Sequence, residues 1–508
     1  MRIRNLIYIG ISVFLFSLSS CDDSYLETEF TDGIDKETAS ELAFNDPEAL
    51  NGYLNGIFAH MVAFDINGGG SHDDFSFMSI LHSTDMMGEY IVQSKSHWFT
   101  YDYAHDNHEY NYRRTAVNWK TLYTVIAKSN EIINFFDEEP EAVGSKGILG
   151  QAYALRGMAY YYLIQLYQHT SYDNLNLDAP GVPLRYAEVE VVKNGWSEEE
   201  VTAMTGRNTV ADVFNQIQSD LEYSVELLDA GYARPAKYFL NASVAKGLLA
   251  RYYLLSKQWE KAATTAKAAY SGYNMMSPSD LHDGFMDIEN REWMWGFDHN
   301  TETQTTYASF FSHISNIAPG YAGINYAPRL IDARLYSRIS DTDERKTLFC
   351  GPEGPSAEQA SVATTTASRL PYANLKFGSD GNWTMDYVYM RAAEMVLIEA
   401  EALVHQNKKS EAATSLAILM ANRDPEWSKE SIEIEDIMIQ RAIELWGEGF
   451  EFFDRKRWNI GIDRSYEGTN HRTGAQITVA AGARSWIYQI PVSEINENDL
   501  ITMDDKND

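Results

Sequence analysis

The strongest constraint on the fold is a helix-pair pattern that occurs twice, 150 residues apart. In each copy a helical segment is followed by a short polar turn and an alanine-rich segment: residues 250–253 with 261–264, and residues 400–402 with 411–414. Small alanine side chains let two helix axes approach closely where they cross. Such a pair buries its apolar face by stacking on neighbours, as in tetratricopeptide (TPR) repeats. We therefore predict a mainly α-helical, TPR-like scaffold; an ordinary antiparallel helix pair is the alternative.

Helical spacing of apolar residues extends this scaffold over much of the chain. We expect an irregular loop at residues 170–207 and a short strand at residues 292–297, where alternation places Trp293 and Trp295 on one face. Two further segments, about 63–111 and 275–385, are irregular and rich in aromatic and polar residues. Because loops on a rigid scaffold commonly carry binding residues, we expect these two segments to face a ligand. The predicted helical regions are residues 46–62, 112–168, 209–271 and 386–458.

The N-terminus has the pattern of an exported lipoprotein. Arg2 and Arg4 precede an apolar run of 13 residues, 6–18, which is too short to span a bilayer. Small residues then lead to Cys21, as in the lipobox at which bacterial lipoprotein signal peptides are cleaved. We predict that residues 1–20 are a signal peptide, that Cys21 is lipidated, and that residues 21–508 form a single domain. An ordinary signal peptide followed by a chance cysteine is the alternative.

Charge and cysteine content exclude several classes of function. The chain of 508 residues has 73 acidic and 41 basic residues, a net charge of -32. Such a polyanion repels phosphate backbones and anionic lipids, so we expect no nucleic-acid partner and no membrane docking through a basic patch. The only cysteines are Cys21 and Cys350. If Cys21 carries lipid, Cys350 has no partner for an intrachain disulfide, and core burial must supply the stability.

The sequence contains no recognisable catalytic or metal-binding constellation. The zinc-protease, nucleophile-elbow and P-loop motifs are all absent. His105 and His108 have metal-like spacing but no third ligand of defined position, so we predict no metal, no cofactor and no enzymatic activity. Arg441, Glu444 and Glu448 are spaced by three and four residues, and Asp454 and Arg457 follow. We interpret this charged set as structural ion pairs rather than catalytic groups.

Candidate ligand contacts come from the aromatic residues of the irregular segments, because sugars and similar nutrients expose an apolar ring face. Trp98 and Tyr101 lie in one polar segment, with Asp85 and Glu89 upstream as hydrogen-bonding candidates. In the second segment the candidates are Trp295, for which burial beside Trp293 on a strand face is the alternative, and Tyr307 and Tyr321.

A family resemblance is carried, in chain order, by residues 21–26, 119–130, 151–162, 182–184, 391–402, 441–458 and 490–495. In this order the segments resemble the SusD/RagB family of outer-membrane nutrient-binding lipoproteins. The C-terminal signature departs from the family pattern at Gln440, where glutamate is usual, and at Glu451, where arginine is common; residues 186–205 resemble an insertion. These departures affect local ion pairs and loop shape.

The resemblance implies a SusD-like fold and a non-catalytic role at the cell surface. Members of this kind bind a glycan or other nutrient and deliver it to a SusC-like TonB-dependent β-barrel, to which they are lid-like partners. Three alternatives remain: the same fold binding peptides or another nutrient, as RagB-type members do; an all-helical glycoside hydrolase; and a TPR adaptor. The long irregular block disfavours the hydrolase, and the aromatic loops disfavour the adaptor.

Overall fold

Helices carry most of the regular structure in residues 36–304 and 307–507, the part of the chain that the computed structural model describes. Cys21 and the predicted signal peptide lie outside the described residues. The helices are α1 (Lys36–Asn45), α2 (Asn51–Val62), α3 (Ser76–Met87), α4 (Thr100–Tyr103), α5 (Arg113–Ile133), α6 (Val143–Tyr167), α7 (Glu188–Asn194), α8 (Glu198–Met204), α9 (Val210–Asp229), α10 (Ala242–Leu255), α11 (Trp259–Tyr270), α12 (Phe310–Ile314), α13 (Ala322–Asn325), α14 (Ala333–Ser337), α15 (Ala392–His405), α16 (Lys409–Met420), α17 (Ile434–Glu444), α18 (Glu451–Arg457) and α19 (Val492–Glu497).

Eight of these helices stack side by side as the scaffold. In the order α2, α5, α6, α9, α10, α11, α15 and α16, each helix packs against the next. The repeated alanines lie at these crossings: Ala262 and Ala266 on α11, and Ala402 and Ala412 on α15 and α16, are fully buried. The mainly α-helical, TPR-like fold predicted from the sequence is thereby confirmed.

Short helices replace some segments that the sequence predicts to be irregular. Helix α3 lies within residues 63–111, and all of its residues are buried, so it has no polar face to reveal a helical period. Helices α7 and α8 lie within residues 170–207, where Ser197 and Glu200 form a capping box at the start of α8. Helices α12 to α14 lie within residues 275–385. All of these except α3 span seven residues or fewer, too few for a clear periodic signal.

The strands form three antiparallel pairs: β1 (Ile91–Gln93) with β3 (Arg329–Ile331), β2 (Trp293–Phe297) with β4 (Tyr387–Arg391), and β5 (Ile462–Asp463) with β6 (Thr478–Val479). Strand β2 confirms the short strand predicted at residues 292–297, although all five of its residues are buried. The β1–β3 pair joins the two irregular segments, because β1 belongs to the first and β3 to the second. The loops that follow β1 and precede β3 are thereby brought to the same side of the molecule.

A buried network of eight charged side chains joins the irregular block to the C-terminal helices. Glu444, at the end of α17, accepts hydrogen bonds from Arg391 (3.0 Å), Arg423 (2.9 Å) and Arg345 (3.1 Å). Glu448 pairs with Arg391 and with Lys376 at 2.6 Å. Burial alone would raise the pKa of Glu444, but the three arginines hold it well below its usual value. The network balances four carboxylates, Glu292, Asp343, Glu444 and Glu448, against four cations, Arg345, Lys376, Arg391 and Arg423.

The structural interpretation of the charged C-terminal set is confirmed. Arg441 donates to Asp454 at 2.7 Å, and Arg457 pairs with both Asp454 and Glu401. One detail differs from the predicted geometry: α17 ends at Glu444, so Glu448 lies in the following turn and not on the same helix face. This turn contains Gly447, whose φ of 80° is accessible to glycine at little cost.

Both departures from the family signature have local partners. Gln440 accepts a hydrogen bond from Arg345 at 2.6 Å and so joins the buried network as a neutral member. Glu451 accepts the backbone N–H groups of Glu89 (2.6 Å) and Tyr90 (2.9 Å) and pairs with Arg455 at 2.7 Å. These contacts connect helix α18 to the loop before β1.

We expect Glu444→Gln to lower the free energy of unfolding by about 3–5 kcal/mol, because three buried arginines would then share less than their full counter-charge. The matched control is Lys246→Ala, which breaks the exposed Lys246–Asp229 pair (2.8 Å) and should cost no more than about 1 kcal/mol. Chemical denaturation followed by circular dichroism measures both changes. Equal losses in the two variants would contradict the role given to the buried network.

Candidate functional site

Three of the residues predicted as ligand contacts lie in the interior, and the structure corrects them. Trp295 is 1% exposed, because its strand packs into the core, and its indole N–H donates to the carbonyl of Tyr238 at 2.9 Å. Asp85 is 2% exposed on the fully buried α3. Glu89 is also buried and pairs with Arg334 (2.9 Å) and Arg455 (2.7 Å). None of the three side chains presents a surface to a ligand in this structure.

The carboxylate of Asp85 fixes the C-terminal turn. Its two oxygens accept the backbone N–H groups of Gly449 at 2.7 Å and Glu451 at 3.1 Å. Burial raises the pKa of Asp85 to about 8, with the neighbouring Glu451 and Glu448 acting in the same direction and the two hydrogen bonds opposing them. Asp85, an acidic residue of unusual pKa, thus has a structural role: its hydrogen bonds connect α3 to the start of α18.

The remaining aromatic candidates come together on the surface. The ring of His72 stacks on Trp98 at 5.1 Å between centroids and contacts Tyr307 at 4.6 Å and Tyr321 at 5.9 Å. Tyr307 is 46% exposed. The sequence prediction found Trp98, Tyr307 and Tyr321 but missed the rings between and beside them. We define the aromatic strip as Phe64, His72, His97, Trp98, Tyr307, Tyr321 and Tyr326.

The turn after β1 directs Trp98 outward. Phe99 adopts a left-handed φ of 69°, and its buried ring packs against His82 at 4.7 Å, so consecutive side chains point to opposite sides of the backbone. Gln93 on β1 donates to the carbonyl of Trp98 at 2.9 Å. The hydroxyl of Thr100 accepts the N–H of His97 at 2.9 Å. These bonds hold His97 and Trp98 in one orientation against the strand pair.

One hydroxyl group contacts both backbone segments that carry the second half of the strip, the segment of Tyr307 and the segment after Tyr321. Ser312 on α12 donates to the carbonyl of Tyr307 at 2.6 Å and accepts the N–H of Ala322 at 3.4 Å. The Nε2 atom of the next residue, His313, lies 2.8 Å from the carbonyl oxygen of His72 and donates to it. The backbone segments that carry His72, Tyr307 and Tyr321 are therefore all bonded to α12.

A surface cavity of about 540 Å³ adjoins the strip. Its aromatic walls include Trp98, which also belongs to the strip, the half-exposed Tyr112, and Tyr101, which is 67% exposed. The rest of the rim is polar and offers hydrogen-bond donors and acceptors, from Asp106, Asn107, Asn111 and Arg113. We refer to the aromatic strip and this cavity together as the ligand face.

Paired charges form the floor of the cavity. The buried Arg114 donates to Asp73 and Asp102, both at 3.2 Å, and its guanidinium carbon lies 5.2 Å from the ring centroid of Phe99. Burial would raise the pKa of Asp73, but Arg114 and Arg113 lower it. Burial raises the pKa of Asp102 despite the nearby Arg114. The floor is thus a rigid, hydrogen-bonded base beneath the exposed rings.

The two imidazoles in the strip are held in the neutral form. Burial lowers the pKa of His72, with Asp73 opposing that effect. Burial also lowers the pKa of His97, and the guanidinium of Arg329 acts in the same direction. Near neutral pH both rings therefore act as uncharged flat surfaces, and the strip as a whole suits the apolar face of a ligand that also carries hydroxyl groups.

Residues 36–304 and 307–507 contain neither a metal-type cluster nor a membrane-spanning helix. No group of three or more histidine, cysteine, aspartate or glutamate side chains within these ranges is arranged to hold a metal ion. His105 and His108 instead contact Met87, through its carbonyl at 2.5 Å and its sulfur at 3.2 Å. None of the helices in this part of the chain combines the length and hydrophobicity that a bilayer span requires.

Two family models match separate parts of the chain. One, described as "Starch-binding associating with outer membrane", matches residues 71–254, and one described as "SusD family" matches residues 372–506. Among curated proteins, the chain is 24% identical over 390 residues to "SusD-like protein P2" of Formosa agariphila, a match that covers 68% of this chain and 71% of that protein.

Solved structures share the fold over nearly the full length. A SusD-like carbohydrate-binding protein from Bacteroides vulgatus is 25% identical, with a TM-score of 0.75 over 91% of this chain and 98% of its own. A laminarin-binding SusD-like protein is 16% identical, with a TM-score of 0.63 over 89% of this chain and 97% of its own. At that lower identity the second likeness concerns the fold alone.

We expect Gly323→Ala to displace the Tyr321 side of the strip. A Cβ atom at Gly323 would lie 2.2 Å from the backbone oxygen of Ser315, which cannot move as a side chain can. The variant should lose about 1–3 kcal/mol of stability and part of the near-ultraviolet circular dichroism of packed aromatic rings. The control is Gly52→Ala on α2, where no atom lies within 4 Å and stability should be unchanged or slightly higher. Identical spectra and melting for both variants would refute the close approach.

Proposed function

Because this chain belongs to the SusD/RagB family, we propose that it is a non-catalytic binding protein for a glycan at the cell surface. The observation that carries the proposal is the convergence of Trp98, Tyr307 and Tyr321 beside a cavity with a polar rim. Exposed rings provide surfaces for the apolar faces of sugars, and the rim provides hydrogen bonds for hydroxyl groups. Loops supply both, while the helix stack positions the loops.

The energetics suit reversible capture. A ring that covers about 40 Å² of a sugar face contributes about 1 kcal/mol at about 25 cal/mol per Å². Two or three such rings and a few hydrogen bonds of about 1 kcal/mol each correspond to dissociation constants in the millimolar to micromolar range. A protein that hands its ligand to a transporter requires release as well as binding, and this range permits both.

The names of the structural relatives support a carbohydrate ligand. One relative is called a carbohydrate-binding protein and another a laminarin-binding protein, and this chain shares their fold. We extend that ligand class to this chain on the strength of its own ligand face rather than on fold alone.

The proposal includes the cellular setting. Residues 1–20 act as a lipoprotein signal peptide, Cys21 carries the lipid that anchors the single domain of residues 21–508 to the outer membrane, and the protein faces the cell exterior. Its partner is a SusC-like TonB-dependent β-barrel that receives the glycan. The family model's description, which includes outer-membrane association, supports this setting.

We expect Trp98→Ala and Tyr307→Ala each to weaken binding to a polysaccharide by about fivefold to tenfold, because each removes about 1–1.4 kcal/mol of stacking. Affinity electrophoresis through gels containing laminarin, starch, galactomannan or xyloglucan first identifies a bound polysaccharide, and isothermal titration measures the variants. Trp427→Ala is the control, since this half-buried ring lies on the connection between α16 and α17.

Three results would count against the proposal. Wild-type affinity for peptides and for no polysaccharide would assign the ligand face to another nutrient. Steady release of reducing ends from a bound polysaccharide would identify an enzyme. Equal loss of binding in Trp98→Ala and Trp427→Ala would place the ligand elsewhere.

We expect Cys21→Ala to shift the protein from the membrane fraction to the aqueous fraction and to abolish metabolic labelling by an alkyne fatty acid. The reason is that the lipid on Cys21 is the proposed anchor. Wild-type protein should also co-purify with a large β-barrel from detergent-solubilised membranes. Persistent labelling of the variant, or a wild-type pool that is free of membranes, would contradict this anchor.

A further inference from the structure

The ligand face contains cations, but their charges are already neutralised by the protein. We propose that this face selects glycans without charged groups and discriminates against uronic-acid and sulfated chains. The inference rests on the proposed function and adds to it the chemical class of the ligand. It depends on four features: the paired arginines, the exposed acid on the rim, the uncharged strip and the negative charge of the whole chain.

Arg114 uses four of its five N–H groups in hydrogen bonds within the protein. Its Nε donates to Asp102 (3.2 Å), its Nη1 to Ser79 (2.8 Å), and its Nη2 to the backbone oxygen (2.8 Å) and side chain (3.2 Å) of Asp73. Its side chain is completely buried. The carboxylate or sulfate group of a ligand could pair with this guanidinium only by displacing Asp73 or Asp102.

Arg113 is the more accessible of the two arginines, and it too is paired. Its Nη2 donates to Asp73, which therefore sits between both guanidinium groups, whereas its buried Nη1 has no hydrogen-bond partner. Asp73 and Asp102 together balance Arg113 and Arg114. The charge left on the cavity rim is that of Asp106, which is exposed and negative.

The other nearby cations do not offer an anion site. Lys95 is exposed on the loop after β1 but does not line the cavity. Lys120 donates to the backbone oxygen of Ile66 at 2.7 Å. Arg329 is 1% exposed behind the strip, and its Nη1 donates to the carbonyl of Ala327 at 2.6 Å. Because Arg329 is buried, its charge lies beyond direct contact with a ligand.

The aromatic strip adds no positive charge. Its seven members are one phenylalanine, one tryptophan, three tyrosines and two histidines, and the surroundings of His72 and His97 lower the pKa of both. A carboxylate set against these rings would lose hydration without gaining a cation, which is unfavourable. A neutral pyranose ring loses only apolar hydration there, and its burial is favourable.

The net negative charge of the whole chain also disfavours the binding of anionic glycans. At -32 it repels polyanionic chains as they approach. The effect extends over about 8 Å at physiological ionic strength and farther at low salt. Repulsion of this kind slows association of an anionic glycan before any contact with the ligand face is made.

The test compares one polysaccharide with its own oxidised form. The panel of neutral polysaccharides described above is extended with alginate, polygalacturonate and carrageenan. The neutral polysaccharide that binds is then oxidised at C6, which converts CH₂OH to carboxylate and leaves the backbone linkage intact, and a mock-treated sample is the matched control. We expect the oxidised form to bind at least about tenfold more weakly in about 10 mM NaCl. Affinity for the neutral form should change less than about twofold between about 10 and about 150 mM NaCl, where the Debye length falls from about 30 to about 8 Å.

The outcomes separate this inference from the proposed function. Binding to alginate, polygalacturonate or carrageenan and to no neutral polysaccharide would overturn the inference and leave glycan binding intact. Equal or tighter binding of the oxidised form would do the same. Absence of binding to every polysaccharide, neutral or anionic, would overturn the proposed function, and the inference with it.

A charge variant tests the role of the rim. Asp106→Lys places a cation on the cavity rim, and we expect the ratio of oxidised to neutral affinity to rise by about threefold or more at low salt. Lys95→Gln is the control on the neighbouring loop, outside the cavity, and should leave that ratio unchanged. An unchanged ratio in Asp106→Lys, or an equal change in Lys95→Gln, would contradict the assignment of charge discrimination to the cavity rim.

Discussion

The balanced set of eight buried charges is the interaction on which the arrangement of the molecule depends. Four carboxylates and four cations come from the residue before β2, from β4, from the end of α17 and from the connecting segments, and they meet without access to water. A buried charge without its partner would destabilise the folded state strongly, so all of these segments must be in position at the same time. The network therefore specifies how the irregular block joins the helix stack, while apolar burial supplies most of the driving force.

The sequence was sufficient to predict the segments whose apolar residues recur at helical spacing. The alanine-rich pairs around α10, α11, α15 and α16 are long enough for their apolar spacing alone to identify them as helices. Helix α3 was missed because every one of its residues is buried, including Ser83 and Thr84, whose hydroxyl groups donate to carbonyls one turn earlier. The short α8 has a capping-box signal at Ser197 and Glu200 that could have been used. The connection between β1 and β3 has no local signal, because it is a tertiary pairing.

The same distinction applies to the ligand face. Trp98, Tyr307 and Tyr321 were predicted because aromatic residues in polar, irregular segments often form binding surfaces, and the structure brings them together; their contact with a ligand stays a prediction. His72 and Tyr326 were missed, since their membership depends on segments that become neighbours only after folding. Asp85 and Glu89 were misassigned because a sequence cannot distinguish a carboxylate that is satisfied by buried partners from one that awaits a ligand.

The attachment of the rings has a consequence for how such a protein can change. Phe64 and His72 precede α3, His97 and Trp98 follow β1, and Tyr307, Tyr321 and Tyr326 flank α12 and α13, so three separate stretches of chain each contribute a few rings. Because a framework side chain donates a hydrogen bond to a backbone carbonyl of each stretch, one stretch can be exchanged while the others stay in register. Affinity for a new polysaccharide can thus evolve by changes in one loop at a time. A single loop removed from the protein would not bind the polysaccharide, because its few rings depend on those of the other loops.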